Sequence, residues 1–290
     1  MHGLIRELAA KAPVITDGAW GTQLQARGLE VGACPDAWNL SHPGRVEEVA
    51  RAYVEAGSQV ILTNTFGANR FVLARCDLAD RVAEINRSGV EISRRAADGR
   101  ARVFASIGPT GILLAMGEHR PEDLRAAFAE QIRALAAAGV DALVLESFSD
   151  PAEILLALEA AKPSGLPLVA CMTFDSGKGH NRTLMGTTPE QAAEQLTAAG
   201  ADAIGSNCGR GIEGFVAITR RLHAATDRPL WIKPNAGLPE VIRGQTVYSQ
   251  TPQQFASVVP ALVEAGAALV GGCCGTTPEF IAAIAKTLKP

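Results

Sequence analysis

Short apolar runs recur along the chain, and each follows the end of a predicted helix. Four segments share one form, a helix end, then Ala-Gly, then an apolar run: VEAGSQVILTN (54–64), AAAGVDALVLES (136–147), TAAGADAIGSN (197–207) and VEAGAALVGGC (263–273). Glycine just past a helix is the usual C′ residue. Continuous runs rich in Val, Ile and Leu are typical of strands buried on both faces of a parallel sheet. The pattern therefore predicts repeated helix–strand units.

Stretches rich in Ala, Leu, Glu and Arg lie between these runs and predict helices. Several begin with a capping side chain followed by a proline at the first helical position, namely Asp150-Pro151, Thr188-Pro189, Thr251-Pro252 and Thr277-Pro278. With the less regular units included, eight strands are predicted, near 13–17, 58–64, 102–107, 140–146, 167–174, 202–207, 229–235 and 268–273.

Eight alternating units without a Pro/Ser/Gly-rich linker predict an α/β protein of the (β/α)8 TIM barrel class. We expect one domain over residues 1–290, preceded only by a short amphipathic N-terminal helix. A doubly wound open sheet is the alternative, and it is weakened because no G-x-G-x-x-G follows the first strand.

Composition narrows the class of protein. Hydrophobic residues make up 47% of the 290 residues and charged residues 20%, so a large core is expected and disorder is not. The formal net charge is −3 and no basic block occurs, which argues against nucleic-acid or membrane-surface binding. The N-terminal residues lack the apolar h-region and cleavage site of a signal peptide, so we expect none. No uncharged apolar window of about 18 residues occurs, so we expect no membrane span. Six cysteines in such a chain indicate a reducing compartment, so we expect a cytoplasmic protein.

Polar and sulfur-bearing residues end the predicted strands. In a (β/α)8 barrel the active site forms at the C-terminal ends of the strands. These ends carry Asp17-Gly18, Thr63-Asn64-Thr65, Glu146, Asn207-Cys208, Asn235 and Cys273-Cys274. Any one of these residues could be an ordinary cap or turn residue, but together they predict a functional rim.

The cysteines at strands six and eight predict a metal site. Cys208 ends strand six and the Cys273-Cys274 pair ends strand eight, so three sulfurs are expected to converge. Three thiolates suit zinc and leave one ligand position open, which is typical of a catalytic site. The alternative is that cysteines act as small buried hydrophobes, which we expect for Cys34, Cys76 and Cys171. A disulfide between adjacent cysteines is strained and rare.

Five motifs extend this interpretation. DGAWGTQLQARG, TNTFGANR, GSNCGRG, PNAGLP and GGCCGTTPEFI resemble the homocysteine S-methyltransferase family, in particular the homocysteine-binding module of cobalamin-dependent methionine synthase. The resemblance runs from about residue 13 to the C-terminus. It implies a barrel enzyme that holds a catalytic Zn²⁺ and methylates homocysteine, as a zinc-bound thiolate, to methionine. The implied zinc ligands, which act in catalysis through the metal, are Cys208, Cys273 and Cys274.

The resemblance also implies substrate-binding residues. Asp17, with Gly18 beside it, and Glu146 are expected to hold the amino group of homocysteine. Asn235 is expected beside the zinc, where it could fill the fourth ligand position when substrate is absent.

The methyl donor is left open by the sequence. Large methionine synthases carry folate, cobalamin and reactivation modules after this barrel, whereas this chain stops at Pro290. We therefore expect the methyl group to come from a methylated corrinoid protein or a small molecule, and we favour the corrinoid protein. Betaine-type enzymes have a tyrosine-rich signature where this chain has SFSD after Glu146, and S-methylmethionine-using relatives have arginine where this chain has Gly275. A quaternary ammonium would need an aromatic cage, for which the candidates are Trp20, Trp38, Phe66 and Phe148.

Three other functions remain open at this point. The zinc site could activate another thiol or a selenol, the chain could be a zinc-binding subunit that docks on a corrinoid protein, or the zinc could be purely structural.

Overall fold

The computed structural model describes residues 1–242 and 245–288, and its strands and helices alternate as the sequence predicts. The strands are β1 Val14–Ile15, β2 Val60–Leu62, β3 Arg102–Ile107, β4 Ala142–Phe148, β5 Leu168–Met172, β6 Ala203–Cys208, β7 Leu230–Pro234, β8 Pro239–Ile242, β9 Gln245–Tyr248 and β10 Ala267–Val270. The helices are α1 Gly3–Ala9, α2 Gly21–Gln25, α3 Trp38–Ser41, α4 Pro43–Glu55, α5 Arg70–Ala74, α6 Val82–Ala97, α7 Pro121–Ala137, α8 Pro151–Ala161, α9 Pro189–Ala198, α10 Ile212–Ala224, α11 Pro252–Glu264 and α12 Pro278–Leu288.

Eight parallel strands form the barrel wall, in the order β1-β10-β7-β6-β5-β4-β3-β2. The seam between β1 and β2 is bridged by the backbone N–H of Gln59, which donates to the carbonyl of Ile15 at 2.8 Å. The Gln59 side chain completes this link, because its Oε1 accepts from the Ile15 N–H at 2.9 Å. The predicted (β/α)8 barrel is therefore confirmed, and its eight strands lie in the predicted segments.

Helix starts follow the predicted caps. Thr188 and Thr251 each form a capping box with the glutamine three residues later, Gln191 and Gln254. Asp150 accepts a hydrogen bond from the Ala152 N–H and so caps α8. Because the proline at N1 has no N–H to satisfy, these side chains suffice to begin each helix sharply after its loop.

The core has two layers, one between the strands and the outer helices and one inside the barrel. The inner layer is closed at the amino-terminal end by α1, whose Ile5 and Leu8 belong to the same apolar cluster as the inward-facing strand residues. That cluster comprises Ile5, Leu8, Val14, Val60, Leu62, Phe104, Ala142, Val144, Val169, Cys171, Ala203, Trp231 and Leu269. The filled interior leaves the opposite, carboxyl end of the barrel for the polar residues.

A two-stranded antiparallel hairpin, β8–β9, interrupts the connection between β7 and α11. The alternating units did not predict it. It lies at the carboxyl end of the barrel and places Tyr248 beside the eighth strand's loop. Among the described residues, no helix is long and apolar enough to cross a bilayer.

Candidate metal and substrate site

The three predicted cysteines converge at the carboxyl end of the barrel. The Sγ atoms of Cys208, Cys273 and Cys274 lie within 4.8 Å of one another. Thiolates that share one zinc ion at about 2.3 Å are roughly 3.8 Å apart, so the sulfurs stand at a separation that a single ion can bridge. The other three cysteines lie elsewhere, with Cys171 buried in the barrel interior and Cys34 and Cys76 half-buried.

Local backbone geometry turns each sulfur toward this point. Cys208 ends β6 with φ of +66°, a left-handed conformation that non-glycine residues rarely adopt, and Gly209 continues it with φ of +72°. Cys273 and Cys274 lie in a turn in which the Thr276 N–H donates to the Cys273 carbonyl at 3.0 Å. The Thr276 hydroxyl donates to the same carbonyl at 2.7 Å. The positions of the three sulfurs are therefore set by a strand end and a turn, and not by a helix or by the hairpin of a zinc ribbon.

The donor set fits a soft divalent cation. Hydrogen bonds from the thiols of Cys273 and Cys274 lower the pKa of Cys208 to about 3. In return, the bond with Cys208 raises the pKa of Cys274 to about 12, and the pKa of Cys273 is also well above its usual value. The three thiols therefore share their protons by hydrogen bonding, and a cation that replaces these protons would satisfy all three sulfurs.

Asn235 supplies an oxygen at the same place. Its Nδ2 donates to the Gly209 carbonyl at 2.6 Å and lies 3.6 Å from the Cys208 Sγ. Its Oδ1 is buried and has no hydrogen-bond partner. Because buried carbonyl oxygens are nearly always paired, an unpartnered oxygen on a side chain that contacts Cys208 is a second observation that fits a ligand bound at this place.

Glu146 lies in β4, two residues before its end, and is 7% exposed. Its Oε1 accepts a hydrogen bond from the Ser106 hydroxyl. Its Oε2 has only a long contact, 3.5 Å, with Nδ2 of Asn207, and that same Nδ2 lies 3.9 Å from the Cys273 Sγ. Burial raises the pKa of the Glu146 carboxyl, and the charge of Lys233 opposes this rise. The carboxylate therefore keeps one oxygen with spare capacity beside the sulfurs.

Asp17 is fully buried and lies in an ion pair with Lys233, which is itself 2% exposed. The Lys233 Nζ donates to Asp17 Oδ1. Asp17 Oδ2 accepts from Trp20 Nε1 at 2.8 Å and from the Leu62 N–H at 2.7 Å. The bond to Leu62 links the end of β1 to β2, so Asp17 also closes the barrel seam.

Other predicted rim residues have local structural partners. Gly18 lies where a Cβ would stand 2.8 Å from the Thr276 hydroxyl and from the Tyr53 ring, so only glycine fits without a shift. The hydroxyls of Thr63 and Thr65 bond each other at 2.6 Å. Asn64, from the same strand end, donates to a loop carbonyl and to another asparagine.

Two residues close to the site were missed at the level of sequence. Lys233 follows an apolar run and ordinarily would be expected to point to solvent. Tyr248 comes from the unpredicted hairpin, and burial together with the nearby Cys274 raises its pKa above the usual value. A Cβ on Gly275 would lie 2.2 Å from the Tyr248 ring, so the ring packs directly on this glycine.

Comparison with known proteins identifies the family. The family model described as Homocysteine S-methyltransferase matches residues 14–288. The chain belongs to the homocysteine S-methyltransferase family. The predicted family is thereby confirmed.

Named relatives of this homocysteine S-methyltransferase family member fall into two groups. The chain is 33% identical to a methionine synthase of Mycobacterium tuberculosis, over 98% of this chain and 26% of the relative. It is 28% identical to betaine–homocysteine S-methyltransferase 1 of Bos taurus, over 99% of this chain and 75% of the relative. The chain thus spans about a quarter of the length of the methionine synthases that it matches.

A solved structure agrees along the whole chain. The metallated form of the homocysteine methyltransferase MmuM from Escherichia coli superposes with a TM-score of 0.81 at 28% identity, covering 97% of this chain and 98% of the other.

The aromatic residues considered for a quaternary ammonium do not form a cage. Phe148 is fully buried, and Trp38 is buried in the layer between strands and helices. Trp20 is engaged with Asp17 through its indole N–H. Only Phe66 offers a largely exposed ring, at 43%.

Proposed function

We propose that this protein transfers a methyl group to the sulfur of homocysteine to form methionine, with a zinc ion held by Cys208, Cys273 and Cys274. The observation that carries the proposal is the convergence of the three sulfurs, whose Sγ atoms lie within 4.8 Å of one another. Membership of the family and the likeness to a metallated homocysteine methyltransferase support it.

In this proposal the cysteines bind the metal, and the metal activates the thiol of the acceptor. When bound, zinc lowers the pKa of a thiol that reaches it, so that the thiol reacts as the more nucleophilic thiolate. The three cysteines would hold the ion, and Asn235 would be the side chain available for the remaining ligand position when no acceptor is bound. Held by three anionic sulfurs, the ion would supply deprotonation of the acceptor thiol while leaving its sulfur reactive.

We assign the amino group of the acceptor to the part of the site that contains the carboxyl groups of Asp17 and Glu146. Asp17 and Glu146 are buried carboxyl groups at the ends of the first and fourth barrel strands, and they can supply the negative charge that an ammonium group requires. Gly18 borders this part of the site, and Tyr53 and Thr276 occupy the space that a side chain at position 18 would need. In this proposal homocysteine binds with its sulfur at the cysteines and its ammonium at the carboxyl groups.

We propose a methylated corrinoid protein as donor, on the strength of the rim surface. Apart from Met1, the exposed large apolar side chains among the described residues all lie in connections that follow barrel strands. They are Val31, Phe66, Leu113, Met116, Leu184, Met185, Leu238 and Val247. Exposed apolar side chains on the connections at the carboxyl end of the barrel favour a surface that another protein covers. A small betaine-type donor is the alternative, and the lack of an aromatic cage among the candidate residues argues against it.

Product formation tests both parts of this proposal. Zinc-loaded protein would be incubated with homocysteine and one of three donors: the methylated cobalamin-binding portion of a methionine synthase, betaine or S-methylmethionine. We expect methionine with the first donor. Cys208→Ala should abolish it, whereas the matched variant Cys76→Ala, which changes a cysteine outside the site, should retain it. Methionine from betaine or S-methylmethionine alone would overturn the donor assignment. No methionine from any donor would overturn the function.

A further inference from the structure

A tyrosine from an outer helix reaches two loops at the carboxyl end of the barrel. Tyr53 lies in α4 and is fully buried. Its hydroxyl donates to the Ala19 carbonyl at 2.6 Å and to the Thr276 carbonyl at 3.2 Å. Ala19 belongs to the connection after β1. Thr276 ends the turn that carries Cys273 and Cys274, hereafter the cysteine turn. One phenol therefore contacts the backbone of both loops.

The Thr276 side chain continues this link to the cysteine turn. Its hydroxyl accepts from the Ala19 N–H at 3.1 Å and donates to the Cys273 carbonyl at 2.7 Å. A hydroxyl has one hydrogen to donate and two lone pairs to accept with, so both bonds can form at once. Two buried hydroxyls and the Ala19 backbone therefore form a continuous chain of hydrogen bonds from α4 to Cys273.

Glycines on both loops leave the space that this chain of hydrogen bonds needs. A Cβ on Gly18 would lie 2.8 Å from the Tyr53 hydroxyl, and a Cβ on Gly272 would lie 2.4 Å from the Thr276 hydroxyl. Each distance is shorter than real Cβ contacts. The side chains of Tyr53 and Thr276 can therefore occupy these positions only because the residues beside them lack a Cβ.

We propose that Tyr53 is a positioning residue for the metal site, which acts through Thr276 to hold the cysteine turn against the connection after β1. This inference rests on the proposed function. Groups that orient metal ligands by hydrogen bonding typically contribute about 10- to 100-fold to metal affinity. Because Tyr53 acts through one further residue, its contribution lies at the lower end of that range.

Cobalt binding to the chelated protein tests this role without any turnover. Co²⁺ would be titrated under anaerobic, reducing conditions, and the thiolate-to-cobalt charge-transfer absorption would report binding to the cysteines. We expect Tyr53→Phe to bind Co²⁺ about 10-fold more weakly than wild type. Ser93→Ala is the matched control, because Ser93 is buried in α6 and its hydroxyl donates to the Leu62 carbonyl of β2 at 3.2 Å. This control removes a buried hydroxyl between an outer helix and the barrel, and it should keep wild-type affinity.

A double-mutant cycle tests whether Tyr53 acts through Thr276. Thr276→Val removes the hydroxyl and should weaken Co²⁺ binding at least as much as Tyr53→Phe. Thr276→Ser keeps the hydroxyl and should bind Co²⁺ nearly as tightly as wild type. Changes within one hydrogen-bond network are not additive, so the double variant Tyr53→Phe/Thr276→Val should bind Co²⁺ within about 3-fold of Thr276→Val alone.

The outcomes distinguish this inference from the proposed function. Wild-type affinity in Tyr53→Phe, or an equal loss of affinity in Ser93→Ala, would overturn the positioning role and leave the proposed function intact. Additive losses in the double variant would overturn the action of Tyr53 through Thr276. Absence of thiolate-to-cobalt absorption in the wild-type protein would overturn the metal site of the proposed function and this inference with it.

Discussion

Gly205 offers a direct test of how tightly β6 and β7 pack below the sulfurs. It lies in β6, three residues before Cys208, and pairs in register with Trp231 of β7. A Cβ at this position would lie 1.8 Å from the Trp231 carbonyl oxygen and 2.7 Å from its carbonyl carbon. The obstructing atoms belong to backbone, so no side-chain rotation can relieve the contact. Gly205→Ala must therefore push the two strands apart.

The size of the effect follows from that displacement. Real Cβ atoms keep at least 3.0 Å from their neighbours, so the strands must separate locally by more than 1 Å. Overpacking a core costs typically about 1–3 kcal/mol, and a backbone obstruction belongs at the upper end. For a chain of this size, about 3 kcal/mol corresponds to a fall of roughly 5 °C in Tm. The same separation should move Cys208 away from the other two sulfurs and weaken metal binding.

Thermal unfolding followed by circular dichroism, together with zinc content, measures both effects. The protein would be compared after chelation and after reloading with zinc, so that metal linkage is separated from packing. Gly214→Ala is the matched control, because Gly214 is exposed in α10 and its Cβ would meet nothing within 4 Å. The control should leave Tm unchanged or raise it slightly through helix propensity. A Gly205→Ala protein that melts within about 2 °C of wild type would refute the close contact of β6 with β7.

Further predictions concern pH, the Tyr248 contact and metal loading. Burial raises the pKa of Asp36 from 3.8 to about 7, so the folded chain binds a proton that the unfolded chain has released, and stability falls by up to about 1.4 kcal/mol per pH unit between these values. Asp36→Asn should therefore have a higher Tm than wild type, and the difference in Tm should grow from pH 4 to pH 7 and stay constant above pH 7. An equal difference at pH 4 and pH 8 would contradict this. In Gly275→Ala the new methyl group would clash with the Tyr248 ring, and the residue would have to keep a φ of +81°. We therefore expect the free energy of unfolding, measured in urea, to fall by at least about 1 kcal/mol. If adding Tyr248→Ala restores stability, the ring is the cause, and if it does not, backbone strain is the cause. Cys208→Ala should retain less than a tenth of wild-type zinc by atomic absorption, and Cys76→Ala should retain all of it; equal zinc in both would contradict the three-cysteine site.

The barrel was predictable from sequence because its signals are local. Most barrel strands are largely apolar runs, and several outer helices begin at a polar cap before proline, as at Thr188 and Thr251. The β8–β9 hairpin escaped prediction because it interrupts a strand-to-helix connection without disturbing the alternation of the main units. Its register depends on two short strands that pair only with each other.

The convergence of the three sulfurs could be predicted from the sequence, but the hydrogen bonds and ion pairs around them could not. Cys208, Cys273 and Cys274 end strands whose order in the barrel follows from the fold class, and the structure brings their sulfurs together. The partner of Asp17 is 216 residues away in the chain, and nothing near Lys233 indicates that its side chain turns inward. The left-handed backbone of Cys208 and the unpartnered oxygen of Asn235 likewise depend on neighbours from other strands. The roles assigned to these residues remain predictions.

Zinc stoichiometry combined with homocysteine titration tests the central claim most directly. Metal content would be measured in protein purified under reducing, zinc-replete conditions, and homocysteine would then be titrated in buffers of different ionisation enthalpy to count released protons. The account predicts about one zinc per chain, because the three thiolates form one site. It also predicts release of close to one proton per homocysteine near neutral pH, since a free thiol has a pKa of about 8.5 and is mostly protonated there. Zinc-free protein, or homocysteine binding without proton release, would contradict a site that activates the acceptor's thiol.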